Sequence, residues 1–131
     1  ERLSSLTETP TSIPSGLSAA DRAYVARLRD AIETRLSDPD FGVTELAAVM
    51  SQDRSRVFRR IKELFDQSPS EFIRRMRIEA AERILTRSSA TVTEVAYAVG
   101  FNSVSYFCRT FQDVYGATPA AYRNRASVSG G

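Results

Sequence analysis

The sequence VTELA at residues 43–47 returns as VTEVA at residues 92–96, 49 positions further along the chain. From the next predicted helix onward the offset is 50, which aligns Arg59 with Arg109. One extra residue in the second turn explains the difference between the two offsets. The chain is therefore predicted to contain two copies of a helix, a turn and a second helix.

Helices are predicted along the rest of the chain as well, because apolar side chains recur at three- and four-residue spacing. No segment alternates with period two for long enough to form a strand, so the predicted class is all-α. A helix that begins at Pro69, roughly 25 Å long, bridges the two copies and joins two helix-turn-helix lobes. The predicted helices cover residues 18–37, 43–50, 53–65, 69–86, 91–99, 103–115 and 119–123.

Composition at the two ends of the chain predicts the domain boundaries. Residues 1–17 are rich in Ser, Thr and Pro without sustained periodicity, which is typical of a flexible linker. Residues 18–125 are predicted to form the double helix-turn-helix domain, and residues 126–131 a flexible tail. Because residue 1 is Glu and not Met, we expect the linker to lead to another domain of a longer protein.

Overall composition excludes several classes of protein. The 131 residues are 42% hydrophobic and 26% charged, with no apolar run long enough to span a bilayer and no signal peptide, so we expect a cytoplasmic globular chain. A single cysteine excludes an internal disulfide. With no histidine, zinc sites and imidazole-dependent catalysis are disfavoured, and we expect neither an enzyme nor a bound metal or cofactor.

Basic residues are concentrated in the second part of the chain. Residues 1–50 hold 5 basic and 8 acidic side chains, whereas residues 51–131 hold 13 basic and 8 acidic ones. The segment 54–62 carries five basic residues and no acidic one. All but one of the 18 basic residues are arginine, whose planar fork suits phosphates and guanine edges. The alternative is an ordinary solvated helix face.

The second helix of each copy is predicted to bury one face and present the other. In a helix-turn-helix, the first helix packs across the second, whose outer face is then free to bind. Helical spacing points Val57, Ile61, Leu64, Phe107, Phe111 and Val114 inward. Phe58 is also expected in the core, and Tyr97 and Tyr106 are expected to be mainly packing residues.

The outer faces supply the candidate DNA-binding residues. Arg59 and Arg109 are candidates for guanine edges, with a phosphate contact as the alternative. The other candidates are Arg54, Arg56 and Lys62 for phosphates, Ser55, Ser105 and Gln112 for bases or phosphates, and Val104 and Cys108 for thymine methyl groups. Helix capping is the alternative for the serines, and simple burial is the alternative for Cys108.

The stretch VTEVAYAVGFNSVSYFCRTF at residues 92–111, followed by GATP at residues 116–119, resembles the AraC/XylS family of bacterial transcription regulators. The resemblance covers roughly residues 20–125. It implies about seven helices, with two recognition helices that enter successive major-groove segments on one face of the duplex. The sequences FRRIK at residues 58–62 and SEFIRR at residues 70–75 are most similar to C-terminal output domains of hybrid two-component sensors.

The first copy departs from the family pattern at three positions. Ser51 and Asp66 stand where glycine is common, and Arg60 stands where an apolar residue often lies. These departures leave the docking of the first lobe less defined by the resemblance than that of the second.

The favoured function is a sequence-specific domain of a bacterial transcription regulator that binds double-stranded DNA. Its expected partners are double-stranded DNA, a covalently linked N-terminal sensor or receiver domain and, as a candidate, RNA polymerase. The alternative is a basic helical protein-interaction module whose positive stripe binds an acidic partner. The two functions predict a different dependence of binding affinity on DNA sequence and on salt concentration.

Overall fold

The structure is a computed structural model that describes residue 11, the backbone of residues 13–130 and the side chains of residues 13–126. Within these residues it contains seven helices and no strand, which confirms the all-α prediction. None of the described helices is long and apolar enough to cross a bilayer. The helices are α1 (Ala19–Thr34), α2 (Val43–Met50), α3 (Arg54–Phe65), α4 (Pro69–Arg87), α5 (Val92–Ala98), α6 (Val104–Tyr115) and α7 (Pro119–Gly130).

The chain divides into two compact units, and each holds one copy of the repeat. Of the described residues, the N-terminal unit contains residue 11, residues 13–36 and Asp40–Met76, and therefore the helix pair α2 and α3. The C-terminal unit contains Ser37–Pro39 and the chain from Arg77 onward, and therefore the pair α5 and α6. The long helix α4 contributes residues to both units.

The N-terminal unit is built around a mostly aliphatic core. Helix α1 buries one apolar stripe, and α2, α3 and α4 each add side chains to the same cluster. One aromatic pair belongs to it, because the rings of Phe65 and Phe72 lie 4.6 Å apart between centroids. The fully buried side chains of this cluster are Val25, Leu28, Ile32, Leu46, Val57, Ile61 and Phe72.

The C-terminal unit has an aromatic core. Phe111 lies at its centre and contacts the rings of Phe107, Tyr115 and Tyr122, at centroid distances of 5.9, 4.8 and 5.4 Å. Phe101 extends the chain of rings through Phe107, at 5.2 Å. Such tilted and edge-to-face pairs add to the free energy gained by burial.

A buried arginine anchors residues 37–39 within the C-terminal unit. The guanidinium of Arg77 donates to the backbone carbonyl of Val99 at 2.9 Å and to that of Asp38 at 3.0 Å. Burial lowers the pKa of Arg77, and the charge of Asp38 opposes that change. Hydrogen bonds to both carbonyls offset part of the cost of burying the cation.

The turn within each helix pair has the same geometry in both copies. Helix α2 ends at Ser51, which has a φ of 57°, and the equivalent Gly100 has a φ of 89°. In each copy the amide of the following residue donates to the alanine carbonyl five positions back, at 3.0 Å in the first and 2.9 Å in the second. The first copy therefore adopts a left-handed turn without the glycine that such a conformation favours.

The second helix of each pair also ends in the same way. Asp66 and Gly116 are left-handed, with φ of 56° and 78°, and their amides donate to the carbonyl four residues back at 2.9 and 2.8 Å. The departures from glycine at Ser51 and Asp66 thus leave the backbone path of the first copy unchanged.

Two residues before the predicted start of the domain at residue 18 contact the N-terminal unit. Thr11 is buried, and its carbonyl and hydroxyl oxygens accept hydrogen bonds from Arg29 at 2.6 and 2.8 Å. Leu17 packs against the core of the N-terminal unit. The end of the predicted linker is therefore held by α1, whereas residues 1–10 and residue 12 lie outside the described part of the chain.

The last helix is longer than the single turn predicted over residues 119–123, because α7 continues to Gly130 through most of the predicted tail. Its first turns are anchored on α4. The Tyr122 hydroxyl donates to the Glu82 carboxylate at 2.8 Å, and Arg123 donates to the carbonyl of Leu85 at 3.0 Å. Burial and the hydrogen-bonded Glu82 carboxylate raise the pKa of Tyr122 to about 12. Residue 131 lies outside the described residues.

We predict that Phe111→Ala lowers the free energy of unfolding by about 3 to 5 kcal/mol, because it leaves a cavity among three rings. Urea titration followed by circular dichroism measures the change. Phe58→Ala is the matched control: Phe58 is half exposed, so its loss should cost no more than about 1 kcal/mol. Equal losses from the two substitutions would contradict this account of the core.

We also predict that Ser51→Gly raises the free energy of unfolding by about 0.5 to 1 kcal/mol, because glycine relieves the left-handed strain at this turn. Thermal and urea unfolding measure the gain. Ser51→Ala keeps the strain and serves as the control, so it should give no gain. Stabilisation by both variants would show that the effect comes from the serine side chain and not from the backbone.

Candidate nucleic-acid interface

Helix α3 presents its outer face because its inner face is completely buried. The Asp53 carboxylate caps the helix by accepting the amide of Arg56 at 2.8 Å. Val57 and Ile61 have no exposed surface, and this fixes the rotation of the helix about its axis. The side chains that consequently face solvent along α3 are Ser55, Phe58, Arg59 and Lys62, with Arg54 and Arg56 at its first turn.

Helix α6 repeats this arrangement in the C-terminal unit. The Ser103 hydroxyl accepts the amide of Tyr106 at 3.1 Å, and Phe107 and Phe111 have no exposed surface. Arg109 therefore occupies the same outward position on α6 that Arg59 occupies on α3. The exposed side chains of the outer face are Ser105, Arg109 and Gln112, and Val104 and Cys108 are half-buried beside them.

All ten predicted DNA-binding residues thus lie at least partly on the surface of the second helix of a pair. Cys108 is partly buried, and simple packing stays the alternative to a DNA contact for this residue. Leu64 and Val114, predicted inward, are only partly buried. That these surface residues contact DNA remains a prediction.

Positive charge on α3 is strongest at the start of the helix. Among the described residues, no carboxylate lies within ion-pairing distance of Arg54, Arg56 or Arg59. Lys62, near the end of the helix, pairs with Asp66 at 3.0 Å, and both side chains are exposed. A ligand with negative charge therefore meets three uncompensated guanidinium groups over the first two turns.

Arg60 belongs to the basic segment but not to the outer face. Its guanidinium donates to Asp21 of α1 at 2.6 Å and to Glu63 at 2.9 Å, and it lies 4.9 Å from the centre of the Tyr24 ring. Hydrogen bonds to Glu63 and Asp21 raise the pKa of Arg60. This cation replaces the apolar residue common at its position and ties α3 to α1.

Phe58 contradicts the expectation that it belongs to the core, since 52% of its surface is exposed. It lies in an open groove of about 600 Å³. The groove is lined by Val43, Arg54, Ser55, Phe58, Arg59, Ser68, Pro69 and Ser70. The signal for this placement was available, because Phe58 is three residues from Ser55 and four from Lys62, on the outward stripe.

Two tyrosines on the surface of the C-terminal unit are also more exposed than expected. Tyr97 is 53% exposed and Tyr106 is 42% exposed, although both were predicted as packing residues. Tyr106 packs against Phe101 at a centroid distance of 5.7 Å, and the guanidinium of Arg109 lies 5.8 Å from the Tyr106 ring centre. Tyr106 therefore supports the arginine at the centre of the outer face of α6.

The arrangement offers groups that are suited to binding. Within the described residues, no three carboxylate or cysteine side chains gather to hold a metal ion. Arginine forks, hydroxyls and an exposed aromatic ring on two capped helices suit recognition of a polyanion with flat, hydrogen-bonding edges.

A family model described as a helix-turn-helix domain matches residues 46–125. Histidine kinase P4 from Formosa agariphila is 29% identical over 119 residues, which are 91% of this chain and 8% of that protein. The transcriptional activator NphR from a Rhodococcus species is 30% identical over 122 residues, covering 86% of this chain and 35% of that protein. The chain therefore corresponds to a small part of each of these relatives.

Solved structures share the fold. The crystal structure of the DNA-binding domain of AdpA, a global transcriptional factor in complex with a target DNA, has a TM-score of 0.70 and 29% identity. The alignment covers 79% of this chain and 95% of that one. C-terminal domains of two response regulators also have this fold. The chain belongs to the AraC-type helix-turn-helix family of DNA-binding transcription regulators.

Proposed function

We propose that this chain is the output domain of a bacterial transcription regulator and reads double-stranded DNA with α3 and α6 in adjacent major-groove segments. The observation that carries the proposal is the equivalence of the two outer faces. Arg59 and Arg109 occupy the same exposed position on two capped helices, each rotated into place by a fully buried opposite face. One chain would then span the distance that a helix-turn-helix dimer usually spans, about 34 Å.

Arg59 and Arg109 are proposed to read bases. An arginine fork donates two parallel hydrogen bonds to the N7 and O6 atoms of guanine, a contact worth about 1 to 3 kcal/mol against other bases. Arg109 is the better oriented of the two, because the Tyr106 ring lies under its guanidinium. Ser55, Ser105 and Gln112 are proposed to add hydrogen bonds to bases or phosphates beside these arginines.

Arg54, Arg56 and Lys62 are proposed to bind phosphates. Their exposed positions on α3 suit contacts that fix the register of the helix on the duplex without reading sequence. The positive end of the helix dipole at the start of α3 adds to their attraction for phosphate. Val104 and Cys108, half-buried at the edge of α6, are proposed to lie against thymine methyl groups.

The intact regulator is proposed to carry a sensor or receiver domain joined to the N-terminal side of this chain and to act in the cytoplasm. The match to a small part of a histidine kinase, and the fold shared with response-regulator C-terminal domains, support this proposal. RNA polymerase is a further proposed partner, because a regulator that binds beside a promoter acts through the polymerase.

A salt titration separates this function from the alternative of a basic protein-interaction module. We expect steep loss of affinity with salt for both a selected duplex and a scrambled one, since both involve phosphate contacts. A specific reader keeps a gap of at least about a thousandfold between the two duplexes. Parallel titration curves with no gap would contradict sequence-specific binding.

We predict that Arg109→Ala relaxes preference at one or two base pairs and that Arg59→Ala does so at base pairs about one helical turn, roughly 34 Å, away. Selection of bound duplexes from a random pool measures both preferences. Arg109→Lys is the matched control, because it keeps the charge but lacks the planar fork. It should lose base preference yet keep the salt dependence. Uniform weakening on every sequence would show that these arginines contact phosphates only.

A further inference from the structure

Phe58 is an exposed aromatic side chain at the edge of the polar outer face of α3. Its chain neighbour Val57 and the residue one turn later, Ile61, have no exposed surface, whereas 52% of Phe58 is exposed. The helix is therefore packed on its inner side by Val57 and Ile61, whereas about half of the Phe58 side chain is in contact with solvent.

The repeat places Phe58 in register with Cys108 of α6, 50 residues later. Along α3 it follows Ser55 by three residues and precedes Lys62 by four, so all three lie on one stripe with Arg59. An apolar ring thus occupies the middle of the row of side chains that the proposed function assigns to the major groove.

The groove beside Phe58 is lined by apolar, basic and hydroxyl side chains. Val43 and Pro69 line it together with the Phe58 ring, and Arg54 and Arg59 line it as well. No described carboxylate pairs with either arginine. Charge complementarity therefore favours an anionic occupant that carries a small apolar group between negatively charged positions.

Duplex DNA has one such group in its major groove. The edges of adenine, guanine and cytosine present hydrogen-bonding atoms there, whereas thymine also presents its C5 methyl group. A phenylalanine ring forms no hydrogen bond and gains only from apolar contact. Given the proposed function, we infer that Phe58 is a specificity-determining residue that contacts a thymine methyl group in the segment read by α3.

The thymine methyl can be removed without changing base pairing, by replacing thymine with deoxyuracil. Each thymine of a selected duplex is replaced in turn, and the affinity of the full chain is measured by fluorescence anisotropy. We expect one position in the α3 segment to lose about fourfold in affinity, the effect of one methyl group removed from an apolar contact.

Variants of Phe58 test whether its side chain causes this loss of affinity. Phe58→Ala should bind the thymine and deoxyuracil duplexes equally at this position, and Phe58→Leu should retain part of the difference. Val49→Ala removes an exposed apolar side chain of α2 that has no proposed DNA contact; it is the control and should keep the full loss at this position. Circular dichroism of each variant checks that it is folded, and 5-methylcytosine at a neighbouring cytosine controls for general effects of a methyl group.

Two results overturn the inference in distinguishable ways. Specific binding in which no thymine of the α3 segment responds to methyl removal, or in which Phe58→Ala keeps the response, refutes the role of Phe58 alone. Failure to select any preferred duplex refutes the proposed function together with it.

Discussion

Complete burial of one face of α3 and one face of α6 is the constraint on which the proposed interface depends. Val57 and Ile61 in the first helix, and Phe107 and Phe111 in the second, have no exposed surface. A helix is rigid about its axis, so burying two residues one turn apart sets the direction of every other side chain. The outward position shared by Arg59 and Arg109 follows from this core packing.

The two units reach the same arrangement with different chemistry. The C-terminal unit packs a chain of aromatic rings behind α6, whereas the N-terminal unit packs aliphatic side chains behind α3 and adds a polar tie at its edge. That tie is Arg60, held by Asp21, Glu63 and the Tyr24 ring. Partly exposed ion pairs contribute less free energy than buried rings. The ion pairs of Arg60 therefore stabilise the position of α3 less than the aromatic rings stabilise the position of α6.

The same tie changes the electrostatics of the basic segment. Arg60 and Lys62 have acidic partners, so the positive charge offered to a ligand by α3 comes mainly from its first two turns. In this region the helix dipole also favours an anion. The apolar ring of Phe58 lies next to this charge. Together they suit a major groove in which a thymine methyl group lies between the phosphates of the two strands.

The sequence by itself determined the all-α class, the two copies, the bounds of five helices to within one residue and the exposure of eight of the ten candidate residues. Helical periodicity, N-caps and the repeat are local signals, so they can be read from neighbours along the chain. Only the tertiary structure decided the burial of Thr11, the partners of Arg60 and the length of α7. Each of these depends on which distant residue is within reach: Asp21, which pairs with Arg60, lies 39 positions earlier in the chain. No local pattern encodes such a contact, because it exists only once the helices have packed.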